Sequence, residues 1–192
     1  MGHGAVRPRG LKCKCGREAF VLHPASGQPL CKKHFLRYLY KKVIREAASL
    51  GLLKCESIKI KIDDVNLIEG KIVYEAIRDW SKRKSCPQPK ESDEGIYPLS
   101  MEKVLYLLLK AFYELDERAY RIANPKLSGN PAYTLLPFEL LSFAKLRNLP
   151  PPKPYGEGPL WEIAVEVSSA QPTEAFSSLK LIENLKALFP VV

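Results

Sequence analysis

Four residues with borderline-soft donor atoms fall in two tight pairs. They are Cys13 and Cys15, then Cys31 and His34, with fifteen residues between the pairs. Tetrahedral zinc takes such thiolate and imidazole donors, two from each of two turns, and the intervening loop must fold back to bring the pairs together. Gly16 suits this reading, because the turn after a coordinating cysteine often needs a positive φ. Four protein ligands close the coordination shell, so the expected ion is structural. The one-residue spacing of the first pair is shorter than usual, and it leaves His3 or His23 open as a replacement for one ligand.

The position of charge adds to this constraint. The chain has 192 residues and a net charge of +9. Residues 1–50 hold eleven Lys and Arg against two acids, Glu18 and Glu46, so they carry the whole excess, and the other 142 residues are neutral. A polyanion is the natural partner of such a segment, since each phosphate contact releases condensed counterions; a solvated basic face is the plainer alternative. Lys32, Lys33, Arg37, Lys41, Lys42 and Arg45 are the candidate phosphate contacts. Phe35, Tyr38 and Tyr40 stand among them, either to stack on unpaired bases or to pack the metal module onto its helix.

The length suits one medium domain, or one domain with a small appendage. No apolar run reaches the ~18 residues of a membrane-spanning helix. The first residues lack an apolar signal core, and Val6 breaks the myristoylation pattern, so a cytoplasmic protein is expected. Cys55 and Cys86 are too few and too isolated for a disulfide framework, and read as ordinary thiols in a reducing compartment.

The periodicities predict a mostly helical α/β chain. Residues 1–10 read as a basic arm, and Glu18 to His23 as one strand of a hairpin. Leu36, Leu39, Val43, Ala47 and Leu50 predict a helix from Phe35 to Leu50, stopped at Gly51, with Lys33, Arg37, Lys41 and Arg45 as a separate stripe. Ile58, Ile60 and Ile62 alternate with Lys59 and Lys61, as in a strand with one wet face. A helix is expected over Glu69–Lys84. A long one is expected from Ser100 to about Ile122, capped by Ser100, with Glu102 favouring its positive end. Its apolar centre, Val104 to Phe112, implies deep burial or a subunit interface. Further on, the pattern gives a short strand at Tyr133–Leu136, a helix opening on Pro137, an irregular proline-rich stretch over 150–159, and an amphipathic helix from Thr173.

Two stretches carry a resemblance. Cys13-Lys14-Cys15-Gly16-Arg17 with Leu30-Cys31-Lys32-Lys33-His34-Phe35 resembles the N-terminal zinc finger of the two-thiouridine tRNA thiolation enzymes, members of the PP-loop ATP pyrophosphatase superfamily. The basic helix through Lys41, Lys42 and Arg45 looks like theirs. Pro137-Phe138-Glu139 through Ala144, Arg147-Asn148-Leu149-Pro150 is similar to a helix late in their catalytic domain, and Phe176-Ser177-Ser178-Leu179 to their closing helix. The resemblance implies a zinc finger and basic arm over 1–34, then a truncated PP-loop-like, adenine nucleotide alpha hydrolase-like α/β domain over 35–192.

The departures from that family bear on chemistry. Its Ser-Gly-Gly-Lys-Asp-Ser loop binds phosphate because glycines let backbone N–H groups approach closely. This chain has no Gly-Gly, and Asp63-Asp64-Val65-Asn66 stands after its first strand, where two carboxylates would repel a triphosphate unless a metal intervened. The family's paired mid-chain cysteines reduce to Cys86, and its Cys-Pro-Tyr is Lys153-Pro154-Tyr155. Its terminal zinc ribbon is absent too. The expectation is a degenerate, noncatalytic, zinc-containing RNA-associated protein that binds tRNA or assists an active thiolase paralogue. The alternative is a zinc-clipped DNA-binding or protein-interaction module unrelated to tRNA. A third reading is an enzyme completed across a homodimer, with Asp63 or Asp64 at its site.

Overall fold

A computed structural model describes residues 10–23, 26–169 and 177. A small antiparallel hairpin, β1 (Val21–Leu22) and β2 (Pro29–Leu30), opens the fold, and a bridge from Lys12 to Glu18 precedes it. Helix α1 (Lys32–Ser49) follows at once. It starts three residues before the apolar periodicity does, because Cys31 adopts the extended conformation of an N-cap residue and commits Lys32, Lys33 and His34 to the first turn. Its end is the expected one: Gly51 takes φ +70°, and the N–H groups of Gly51 and Leu52 close a Schellman motif on Ala48 and Ala47.

Next comes a β-α-β unit. Strand β3 (Lys59–Ile60) runs parallel to β4 (Lys90–Glu91), and α2 (Leu67–Lys84) makes the crossover. Ile96 bridges β3 on its other side. The predicted alternation holds, with Ile60 fully buried and Lys59 and Lys61 exposed. Gly95 is needed there, since a Cβ would sit 2.4 Å from the Lys59 carbonyl oxygen. Asp63 and Asn66 start α2 by reciprocal bonds: the Asp63 carboxylate accepts from the Val65 and Asn66 N–H groups, and the Asn66 amide oxygen accepts from the Asp63 N–H.

Three sequence expectations are corrected here. Cys55 and Cys86 are not ordinary thiols but a disulfide, formed because the β3–α2 excursion returns the chain to its starting point. The long helix is two, α3 (Met101–Glu114) and α4 (Glu117–Ala123). Leu115 takes a left-handed conformation between them, and Asp116 caps α4 by accepting from the Ala119 N–H, a local competition that apolar periodicity cannot register. Tyr133–Leu136 is a turn rather than a strand, preceded by the short α5 (Pro125–Ser128), whose cap is Asn124.

Helix α6 (Pro137–Arg147) opens on its proline as expected, and α7 (Pro159–Ser169) occupies a stretch to which the periodicity assigned nothing. The amphipathic helix expected from Thr173 lies outside the described residues, Ser177 apart. No helix among the described residues is long and apolar enough to cross a membrane.

Two apolar clusters result. One joins α1, α2 and α6 with the hairpin through Phe35, Leu39, Val43, Ile72, Ile77 and Phe143. The other joins α3, α4 and α7 through Val104, Leu108, Ala111, Tyr120 and Ala164. Helix α6 and its lead-in belong to both, with Leu140 in the first cluster and Leu136 and Phe138 in the second. Burial of α3 is one-sided at its end, where Phe112, Tyr113 and the following Leu115 are exposed.

Candidate metal centre and basic face

The ligand atoms of Cys13, Cys15, Cys31 and His34 all lie within 4.8 Å of one another. Cys13 Sγ is 3.0 Å from His34 Nδ1, and Cys15 Sγ is 3.6 Å from Cys31 Sγ. A single tetrahedral ion with metal–sulfur bonds of ~2.3 Å needs donor separations of about 3.8 Å, so the spacing fits one divalent ion. Gly16, at φ +79°, makes the turn that lets the Arg17 carbonyl accept from the Cys13 N–H. Cys13 and Cys31 are buried and Cys15 is exposed.

The site favours the ligating form of Cys13. Its thiol is lowered to about 6 by the Cys15 backbone N–H, then by the His34 imidazole and the Cys31 N–H. Three thiolates with one divalent ion would carry one net negative charge, beside the positive end of the α1 dipole. His23 is not part of the cluster: its ring packs edge-on against Tyr38, and its Nδ1 accepts from the Ser26 N–H. His3 lies outside the described residues.

Because Cys31 and His34 flank Lys32 and Lys33, the metal clip and the basic face share one helical turn. Lys32, Lys33, Arg37, Lys41 and Arg45 are exposed. Four-residue spacing puts successive charges of the stripe about 6 Å apart along the axis. Arg45 holds Glu46 at 2.8 Å but stays largely in solvent.

Lys42 is a correction. It lies one residue off the stripe and points inward, where its Nζ meets both Glu139 oxygens at 2.9 and 2.8 Å. Glu139 also accepts from the Tyr38 hydroxyl and the Leu136 N–H, so Lys42 ties α1 to α6 and is not a phosphate contact. The aromatic candidates are engaged too. Phe35 is buried against Phe20, Tyr38 is on Glu139, and Tyr40 bonds Glu75 beside Arg147. No principle of spacing could reveal Glu139, which lies 97 residues from its lysine.

The strand-end carboxylates are also accounted for. Asp63, besides holding the turn that leads into α2, accepts from the Tyr97 hydroxyl at 2.9 Å, and Asp64 pairs with Lys153 at 2.9 Å. Close by, a cleft of about 200 Å³ opens between the N-terminus of α3 and the proline-rich segment. Glu102, Leu141, Pro152, Lys153, Pro154 and Trp161 line it. Glu102 is only 7% exposed, and its carboxyl is raised to about 7 by burial and by the neighbouring Glu69 carboxylate, against the weaker pull of Lys103 and Ser100. Lys103 is itself buried on Glu69 at 2.7 Å. The sequence marked Glu102 only as a first-turn acid; its burial beside Glu69 depends on how α2 packs on α3.

Comparisons with known proteins accord with this geometry. Residues 12–36 match the model of the N-terminal LIM domain of the 2-thiouridine synthetase TtuA. The fold is similar to that of the U34-tRNA thiolase NcsA from Methanococcus maripaludis, solved with its 4Fe–4S cluster. That likeness has a TM-score of 0.51 at 14% identity, and covers 94% of this chain and 89% of that one. No curated protein matches the sequence. The N-terminal module is thus similar to the LIM domain of a 2-thiouridine synthetase, and the fold to that of a U34-tRNA thiolase.

Proposed function

We propose that the protein is a noncatalytic, zinc-containing tRNA-binding protein of the cytoplasm that serves as an accessory in tRNA thiolation, alone or beside an active thiolase. The observation that carries this reading is the fusion of the Cys/His cluster with the exposed stripe Lys33, Arg37, Lys41 and Arg45 on one helix. Zinc is the ion the donor set favours, because three sulfurs and one imidazole within 4.8 Å suit a single borderline-soft ion better than a multi-iron cluster. Residues 1–34 form the basic arm and zinc finger, and residues 35–192 the truncated, mainly helical α/β domain, whose first helix carries Arg37, Lys41 and Arg45. The noncatalytic part rests on the missing glycine-rich loop and on Asp63, whose carboxylate is occupied in starting α2.

The test is tRNA binding across a salt series, comparing the parent with an Arg37→Glu/Lys41→Glu variant. Loss of two phosphate contacts should reduce the salt slope by roughly 1.4–1.8 and weaken binding at least about tenfold at low salt. Unchanged affinity would sink the assignment, and a preference for duplex DNA over tRNA would favour a module unrelated to tRNA. Metal analysis of the purified protein should find one zinc per chain.

A further inference from the structure

We propose that the cleft at the N-terminus of α3 receives one unpaired nucleobase bearing an exocyclic amino group, with Glu102 as hydrogen-bond acceptor and Trp161 as stacking wall. This rests on the RNA reading but concerns a site away from the basic stripe.

Size sets the first limit. About 200 Å³ is below the ~300–1,000 Å³ of pockets for drug-sized ligands, so the occupant is a single ring system. The walls set the second. Leu141, Pro152, Pro154 and Trp161 are apolar, and the prolines are stiff, which suits a flat body that stacks. Trp161 is held by an edge-on contact with Tyr106, whose ring is in turn packed edge-on against Tyr155.

Polar chemistry sets the third. Of the two charged groups in the lining, Lys153 is engaged with Asp64. Glu102 makes no ion pair among the described residues, because the adjacent Lys103 is committed to Glu69 and to the Val65 carbonyl. Above about pH 7, where Glu102 is ionised, a buried carboxylate without its own cation repels phosphate and rewards an N–H donor. Cytosine, adenine and guanine offer amino groups, as in carboxylate recognition of cytosine N4. Uracil offers a single N3–H donor flanked by a carbonyl oxygen on each side, so a carboxylate that accepts from it is repelled from both sides, whereas the cytosine amino group has an acceptor on one side alone. The cleft therefore discriminates by hydrogen-bond polarity, and a site built on a buried polar group can discriminate strongly.

The experiment uses free cytidine, with uridine as control, on the full-length protein at fixed ionic strength and at a pH above about 8, where Glu102 is ionised. A Trp80→Phe background leaves Trp161 as the sole indole reporter. Cytidine should give a saturable change in Trp161 fluorescence, and uridine at least about tenfold less. Glu102→Gln should abolish that preference, and Leu141→Phe, which narrows the cleft without touching Glu102, should block cytidine. The Arg37→Glu/Lys41→Glu variant should respond like the parent, so this outcome is independent of whether the basic stripe binds tRNA. Equal responses to the two nucleosides, or a cytidine response that survives both cleft substitutions, would overturn the proposal.

Discussion

The two halves of the molecule reach order by different means. Around α1, α2 and α6 the elements are joined by named polar groups: the four side chains of the candidate metal cluster, Lys42 and Tyr38 on Glu139, and Tyr40 with Arg147 on Glu75. Around α3, α4 and α7 the joints are mostly apolar, with Leu108, Ala111, Tyr120 and Ala164 packed together and, among the described residues, one buried ion pair, Lys103 to Glu69, at the border. The first half gives up specific bonds when perturbed, whereas the second gives up packing. The exposed basic stripe lies on α1, in the half whose elements are joined by directional bonds as well as by an apolar cluster.

Metal removal should separate the halves most sharply. Chelation, or Cys31→Ala, removes a ligand set whose zinc-binding energy in peptides is ~10–16 kcal/mol. The expected result, read by hydrogen exchange, is loss of protection over residues 12–36 and the first turns of α1, with α3, α4 and α7 still protected. Uniform loss across both halves would erase the distinction.

The next largest effect concerns Glu139. Replacing it with Ala strands the buried Lys42 ammonium, for which about 3–5 kcal/mol of destabilisation is expected in denaturant titration. A Lys42→Met/Glu139→Leu double substitution should recover most of that loss, since apolar residues of similar volume often replace a buried pair without penalty.

Much of the first half was legible in sequence because its devices are local. The Cys/His spacing, the Gly51 stop, the alternation around Ile60 and the proline opening α6 each act within a few residues. What was not legible depends on partners far along the chain. Lys42 and Arg45 are both candidate phosphate contacts in sequence, although four-residue spacing leaves Lys42 off the stripe; Glu139, far along the chain, is what holds Lys42 in the interior. The Cys55–Cys86 bond depends on the length of the α2 excursion. In the second half, an almost continuous apolar run gives no phase information, so the break at Leu115 and the helix α7 were hidden.

Glu102 offers a smaller effect of opposite sign. Its carboxyl is raised from the ordinary value of 4.5 to about 7 by burial and Glu69, so the folded state holds this proton more tightly than the unfolded chain does. That contribution is full below about pH 4.5 and is lost as pH rises through about 7. Glu102→Gln should therefore stabilise the protein above pH 8, by up to about 3 kcal/mol, and change little near pH 4. Parallel unfolding curves for the two proteins from pH 4 to 8 would show that Glu102 is not the group responsible.

The smallest effect is expected from the basic face. Arg37 and Lys41 are exposed, so their reversal should move stability by less than ~0.5 kcal/mol, while tRNA affinity falls as described above. A large drop in melting temperature would mean the stripe supports the fold as well as a ligand.

The bond between Cys55 and Cys86 gives the chain the topology of a ring with two tails. Strand β3, the turn after it and all of α2 lie inside that ring. A single protease cut between residues 56 and 85 would therefore leave one covalent molecule, which migrates as intact protein until a thiol reductant divides it in two.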